Sequence, residues 1–470
     1  MNKKRSALLA ALIYAFGIHF SEADQRSNIG TEHIERIVAA SEEIIQQYVK
    51  MGWFSGNLFI GTISGVAETR TYGFSDRDKM RPNTICTRFN IGSIAKHYTA
   101  VLVLQLIEQG KLGFDTALAD FDLNLDTSLT QGVTIEHLLN HQSGFGDVFI
   151  PAYMESPLRF DTLEKKIQLL KDQQRLFEPG TDYSYSNYGY ILLGAILEKV
   201  TGKSFNTLLD EQIFKPIQAK DSSLTRWEGD KCQSERYIFT LDQKLQPTHF
   251  REVSGPDGGI EATVQDVFKF YRTLFFSSTL LDRDGPTFSE HFAVNRDHVS
   301  SYGGGTGVSA AVEVLVDKGI FIIVLANSDE LVAERITHRI VQFINSGRYP
   351  EIRLPATHFV YKNYNVLGIQ SFKKHFLDIY KNSGYSTFMG KAINESGLSL
   401  VHHNKADEGL EILETLIHFY PRAPQAYDSL AYAHYFLGDM ARAKAVFQHA
   451  LAINPEFNSE YHQHNYRDEF

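Results

Sequence analysis

The sequence predicts a mixed α and β domain over the larger, N-terminal part of the chain, followed by an all-helical tail. Three observations carry this reading. Strand-like runs, Leu58 to Ile63 and Glu68 to Phe74, alternate with long stretches of helical period. A composition break at Ser346-Gly347-Arg348-Tyr349-Pro350 and Leu354-Pro355 then marks a linker. Beyond it, small and aromatic residues recur at the spacing of a helical repeat. At 470 residues the chain also exceeds one ordinary domain.

Residues 1–23 read as a secretory signal: Lys3-Lys4-Arg5, an apolar core from Ala7 to Phe20, and small residues at Ser21 and Ala23. We expect cleavage after Ala23 and export to the periplasm or medium. A retained N-terminal anchor is the alternative, although the apolar run is short for a span and is broken by Gly17 and His19. An amphipathic helix follows, with Ile34, Ile37, Val38, Ile44, Ile45 and Val49 near helical spacing.

Ser93-Ile94-Ala95-Lys96 comes next, after Phe89-Asn90-Ile91-Gly92 and before an apolar stretch reaching Leu106. Positions i and i+3 on a helix share a face, so an amine one turn on can point at the serine oxygen. A helix N-terminus also favours negative charge developing beside it. Ser-x-x-Lys recurs at Ser371 and Lys374, but there no glycine stands immediately before the serine and no long apolar helix follows.

Tyr185-Ser186-Asn187 follows the turn Pro179-Gly180 and leads into an apolar helical run from Ile191 to Val200, about 90 residues past Ser93. A tyrosine oxygen serves as general base if a cation lowers its pKa, and Lys96 is the candidate cation. The same Tyr-x-Asn spacing at Tyr361/Asn363 and Tyr380/Asn382 lacks that context.

Four segments, Ile91 to Leu112, Thr134 to Gly144, Phe177 to Lys203 and Ser254 to Leu274, resemble in order and spacing the serine hydrolases related to class C β-lactamases, D-alanyl-D-alanine carboxypeptidases and esterases. The resemblance covers roughly residues 30 to 345. It implies an α+β fold: an antiparallel sheet flanked by helices, a helical subdomain inserted between the early and final strands, and the serine at their junction. It also implies Ser93 as acylated nucleophile, Lys96 as its proton partner, Tyr185 as base, Asn187 as substrate-positioning residue, and no metal or organic cofactor.

The family's third motif, Lys-Thr-Gly or His-x-Gly, is where the chain departs. The matching stretch is Ser300-Ser301-Tyr302-Gly303-Gly304-Gly305-Thr306-Gly307-Val308. Tyr302 falls at the basic position, and a one-residue shift would put Ser301 there; neither is a cation. The glycines suit a strand whose backbone must approach an oxyanion. Tyr302, Gly304 and Gly305 are therefore candidate substrate-binding residues, with the Gly305 and Ser93 amides as the expected oxyanion hole. Losing the cation turns the expectation from carboxylate-bearing substrates toward a small-molecule ester, amide or peptide. The competing expectation is a catalytically silent, penicillin-binding-protein-like binding protein.

His137 and His141, four apart on a probable helix, have metal-ligand spacing but lack the glutamate of His-Glu-x-x-His, and read as structural residues at a helix end. His402-His403 and His462/His464 read as exposed polar residues. Cys86 and Cys232 either pair or stay as two thiols; a separation of 146 residues decides nothing. Cleaving the signal removes three cations and one anion, taking the net charge from −10 to about −12, so no nucleic-acid partner is expected.

The predicted layout is a signal at 1–23, the hydrolase-like domain at 24–346, a linker and helical connection at 347–389, two tetratricopeptide-like repeats at 390–457 and a short tail at 458–470. Pro424 to Phe457 carries Tyr427, Leu430, Ala431, Gly438, Ala443, Phe447, Ala450 and Pro455 at repeat positions. Shifting back by 34 residues pairs Gly397 with Ala431 and Gly409 with Ala443. Two units are fewer than the three or so needed for independent stability, so the tail should dock on the hydrolase-like domain, on another copy or on a partner.

Overall fold

A computed structural model describes residues 31–171, 173–292, 297–459 and 461. The expected signal and its cleavage site at Ala23 lie outside the described residues, as do His462 and His464.

Five strands, β1 (Gly56–Thr62), β2 (Gly65–Tyr72), β3 (His298–Gly305), β4 (Val308–Leu315) and β5 (Ile320–Ala326), form one sheet in the order β2-β1-β5-β4-β3. Every pairing is antiparallel. The chain leaves the sheet after Tyr72 and returns at His298, and the intervening segment builds the helical subdomain expected between early and final strands.

Side chains alternate across each strand, so each run feeds two cores. On one face, Leu58, Ile60, Ile322 and Val324 pack against α1 (Thr31–Lys50) and a later helix, Val332–Ser346. On the other, Phe59, Val312, Phe321 and Ile323 pack against the inserted helices α2 (Ala95–Glu108), α3 (Asn187–Thr201) and α4 (Val264–Phe276). Phe268 of α4 is the pivot of that contact, its ring 4.7 Å from Phe59 and 5.0 Å edge-on to Phe321. The later helix, α5 (Val332–Ser346), follows the last strand directly.

Cys86 and Cys232 form a disulfide with a Cα separation of 5.4 Å, which resolves the two alternatives left open above. Around it, the Arg88 N–H donates to the Cys232 carbonyl at 2.7 Å, and the Arg88 guanidinium lies 4.0 Å over the Trp227 ring. Phe89–Asn90 pairs with Glu261–Ala262, and the Ile91 N–H donates to the Ile260 carbonyl at 2.9 Å. The segment immediately before Ser93 is thereby fixed along its length.

Beyond Pro350 the described chain is helical: α6 (Ala356–Lys381), α7 (Met389–His402), α8 (Ala406–Phe419), α9 (Pro424–Phe436) and α10 (Met440–Ile453). Gly397 and Gly409 sit where α7 meets α8; a Cβ on Gly409 would fall 2.7 Å from the Gly397 carbonyl oxygen. Gly368, at φ +69, breaks α6 into two helical segments, and Ser371 and Lys374, the second Ser-x-x-Lys, lie on the second of them. The tail docks on the preceding domain. Leu241, from the hairpin Tyr237–Phe239/Leu245–Pro247, enters a core with Ala356, Val360 and Phe372, and His358 stacks on Phe239 at 4.9 Å while its Nε2 donates to the Thr240 carbonyl at 3.2 Å.

Cys86→Ser combined with Cys232→Ser is expected to lower the unfolding free energy by about 2–4 kcal/mol, because the bridge closes a long loop of the unfolded chain. Urea unfolding with and without reductant measures it, and a midpoint unmoved by reductant contradicts the expectation.

Candidate active site

Asn90 and Gly92 set the turn that presents Ser93. The Asn90 side-chain oxygen accepts from the Gly92 N–H at 2.9 Å, and Gly92 takes φ +52, a region glycine enters without steric penalty. Ser93 lies in the 3-10 turn Gly92–Ile94, which runs directly into α2.

Lys96, on the first turn of α2, is only 4% exposed. Its Nζ donates to Ser93 Oγ at 3.3 Å, to Asn187 Oδ1 at 2.6 Å and to the Asp257 carbonyl, so all three ammonium donors are used. Burial pushes Lys96 down to about 8, against the opposing pull of the Asp257, Asp147 and Glu252 carboxylates.

The Tyr185 hydroxyl donates to Ser93 Oγ at 2.7 Å. The expected lowering of its pKa by Lys96 is not found: burial pushes the phenol up to about 12. The geometry supplies the reason. Lys96 Nζ stands 4.9 Å over the Tyr185 ring, against its π face, with its hydrogens committed elsewhere.

Ser186 caps α3, its Oγ accepting from the Gly189 N–H at 3.4 Å and donating to the Gly146 carbonyl at 2.7 Å. Asn187 then opens the helix, and its Nδ2 donates to both Asp147 carboxylate oxygens at 2.9 and 3.0 Å. With both ends of its amide held, Asn187 offers its oxygen to Lys96. Nothing in the sequence singles out Asp147 or Asp257. Asp147 is a lone acid in a loop, and Asp257 acts on Lys96 through its backbone carbonyl, a contact with no residue-type signature.

The third motif needs two corrections. Tyr302 points to the far side of the sheet, where its hydroxyl donates to Glu313 Oε1 at 2.7 Å and meets His338 Nε2 of α5 at 2.8 Å. Strand alternation therefore puts Ser301 and Gly303 on the site face, so the one-residue shift is the correct phase. Gly303 packs so closely that a Cβ there would lie 2.0 Å from the Ile91 carbonyl oxygen and 3.0 Å from the Ser93 nitrogen. Ser301 meets the Tyr271 hydroxyl, which is 2.9 Å from His97 Nδ1.

The second correction concerns Gly305. The Val316 N–H donates to the Asp297 carbonyl at 2.8 Å, so pairs in phase with 297/316, including 303/310 and 305/308, exchange the hydrogen bonds. The Gly305 N–H is consequently directed at β4. The Gly304 N–H points off the open edge of β3, the last strand of the sheet, and a Cβ on Gly92 would lie 3.0 Å from the Gly304 nitrogen. Gly304 is the candidate amide to stand with that of Ser93.

His137 closes a capping box with Thr134 at the start of the helix Ile135–Leu139, a structural role. Among the described residues, no group of three or more His, Cys, Asp or Glu is placed to hold a metal ion.

The family described as Beta-lactamase matches residues 42–344. Penicillin-binding protein 4 of Amycolatopsis lactamdurans is 31% identical over 192 residues, 39% of this chain and 50% of that protein. Protein flp of Staphylococcus aureus strain MW2 is 24% identical over 345 residues, 66% of this chain and 67% of that protein. The solved structure of a penicillin-binding protein from Bacillus halodurans shares the fold, with a TM-score of 0.58 at 24% identity, covering 64% of this chain and 98% of that chain. The chain spans about half the length of the first curated relatives it matches. With the sheet, the inserted helices and the matched segment in agreement, the chain belongs to the beta-lactamase family.

Gly303→Ala is expected to destabilise the protein by about 1–3 kcal/mol, the usual cost of overpacking against fixed backbone. Gly304→Ala, whose Cβ would meet only the tip of Leu331 at 3.0 Å, should do less harm. Thermal unfolding of both variants measures the difference, and equal losses contradict it.

Proposed function

We propose that the protein is an exported serine hydrolase that forms an acyl-enzyme on Ser93. The observation that carries this is the hydrogen-bonded set in which Lys96 Nζ and the Tyr185 hydroxyl both reach Ser93 Oγ, at 3.3 and 2.7 Å. The pKa values near 8 and 12 divide the labour. Lys96 is the group that is readily neutral near physiological pH, and Tyr185 stays protonated.

As Ser93 Oγ bonds to the substrate carbonyl carbon, its proton passes to the neutral Lys96 amine. The carbonyl oxygen takes the negative charge between the Ser93 and Gly304 amides, where one such donor is worth about 10²–10³ in rate. The bond to the leaving group breaks and the leaving atom takes the Tyr185 proton, leaving a phenolate beside the Lys96 ammonium. Water then attacks the acyl carbon and gives its proton to that phenolate, and as the acyl bond breaks Ser93 Oγ takes its proton back from the Lys96 ammonium, its 3.3 Å neighbour.

The substrate class is an ester, amide or peptide without a carboxylate beside the reacting carbonyl. Supporting this, Ser301 puts a neutral hydroxyl where relatives carry a cation, and Lys96 has its three donors occupied. Export rests on the N-terminal signal pattern, and the disulfide suits an oxidising compartment. The tail is read as two tetratricopeptide-like repeats, α7/α8 and α9/α10, whose first task is to pack on the domain through the Leu241 hairpin.

Intact mass after exposure to a fluorophosphonate tests the reading. One adduct on the wild type, none on Ser93→Ala, and turnover of a short-chain ester are expected; a folded wild type that takes no adduct and hydrolyses no ester contradicts it. Ser301→Lys should speed acylation by a penicillin about tenfold by supplying a charge-assisted hydrogen bond. An unchanged rate removes Ser301 as the discriminating position.

A further inference from the structure

His141 lies outside the hydrogen-bonded set around Ser93, yet it touches three consecutive residues that present one of its members. Its φ is +57, a region that histidine enters more readily than most residues but at a cost in free energy. That conformation turns the His141 carbonyl to the Ser184 N–H, at 3.0 Å, while the side chain reaches Ser186, whose N–H donates to Nδ1 at 3.2 Å. Between those two bonds the imidazole stacks on Tyr185, with ring centroids 4.5 Å apart and planes 29° apart.

A backbone N–H only donates, so Nδ1 is the bare nitrogen and the neutral ring carries its proton on Nε2. Burial pushes the imidazole down to about 4, helped by Lys96 from α2 and His291 from the helix Pro286–Phe292. Its remaining aromatic neighbours are Tyr190 of α3, at 5.3 Å, and Tyr183, edge-on at 5.9 Å.

Ending the helix Ile135–Leu139 explains only the backbone of His141. Glycine or asparagine would supply a left-handed residue at lower cost, and neither would stack on Tyr185. Tyr185 also needs holding. Although its hydroxyl end is desolvated, the residue as a whole is 41% exposed, so core packing alone does not fix its ring, while its oxygen must stay 2.7 Å from Ser93 Oγ.

We propose that His141 is the positioning residue for Tyr185, clamping residues 184–186 from both sides and setting the plane of the phenol ring. This rests on the acyl-enzyme reading given above. His141 makes no described contact with Ser93; it acts through Tyr185.

The test compares full-length wild type with His141→Ala, His141→Asn and His141→Phe. Asn tolerates the left-handed backbone and can accept the Ser186 N–H but cannot stack; Phe can stack but leaves that N–H unpaired. Three quantities are read: the rate of Ser93 labelling by a fluorophosphonate, kcat and KM for a short-chain ester, and the pH profile of kcat/KM. Labelling and kcat should fall about 10- to 100-fold in His141→Ala, the scale of a misplaced catalytic group. KM should move by less than about threefold, and the basic limb of the profile should shift. Asn and Phe should each lie between Ala and wild type, and Asn keeps the test open if the other two fail to fold. Variants that label at the wild-type rate with an unmoved profile, losing only thermal stability, overturn the proposal and leave His141 a helix terminator. A folded wild type that never labels overturns the acyl-enzyme reading, and this proposal with it.

Discussion

A primary amine removed from water is the constraint around which this site is arranged. Burying an ammonium is unfavourable unless every donor finds an acceptor and compensating charge stands nearby. Lys96 meets both conditions through three separate parts of the chain: Ser93 one turn earlier, Asn187 at the start of α3, and the Asp257 carbonyl. Asn187 is itself anchored by Asp147. Burial outweighs the nearby carboxylates, and the amine ends near 8 rather than its ordinary 10.5. A lysine at its ordinary value would be a poor proton acceptor at neutral pH. A lysine without Asp147 and Asp257 would be harder to bury at all.

The sheet supplies the other half of the geometry. β3 is an edge strand, so alternate amides on it are free of ladder bonds, and only on such an edge can a backbone N–H serve a substrate. Gly303 allows that edge to approach the turn carrying Ser93, since any side chain there would strike the Ile91 carbonyl. The opposite turn is held by the pairing of Phe89–Asn90 with Glu261–Ala262 and, just upstream, by the disulfide. Nucleophile and edge amide are thus fixed from both sides, as electrostatic stabilisation of a developing oxyanion requires.

What was legible in the sequence was local. Ser93/Lys96 and Tyr185/Asn187 are short-range spacings on or beside helices, and period-two and helical patterns marked most long elements to within a few residues. The phase of β3 was not legible, because a run of glycines has no side chains to reveal which face is buried. The pattern alone therefore cannot tell Tyr302 from Ser301 on the site face, nor Gly305 from Gly304 at the free edge. The acidity of Tyr185 turned on whether Lys96 meets the phenol oxygen or the ring, a matter of a few ångströms that spacing cannot resolve. Asp147, Asp257, the Cys86–Cys232 pairing and the entry of Leu241 into the tail all depend on contacts between distant segments.

The Lys96 titration tests the account most directly. Side-chain nitrogen chemical shifts of the full-length protein, assigned with Lys96→Arg, should show one lysine titrating near pH 8, apart from the bulk of the lysines. A Lys96 that titrates with the others, near 10.5, would contradict the account, leaving no group in the described site able to take the Ser93 proton at neutral pH.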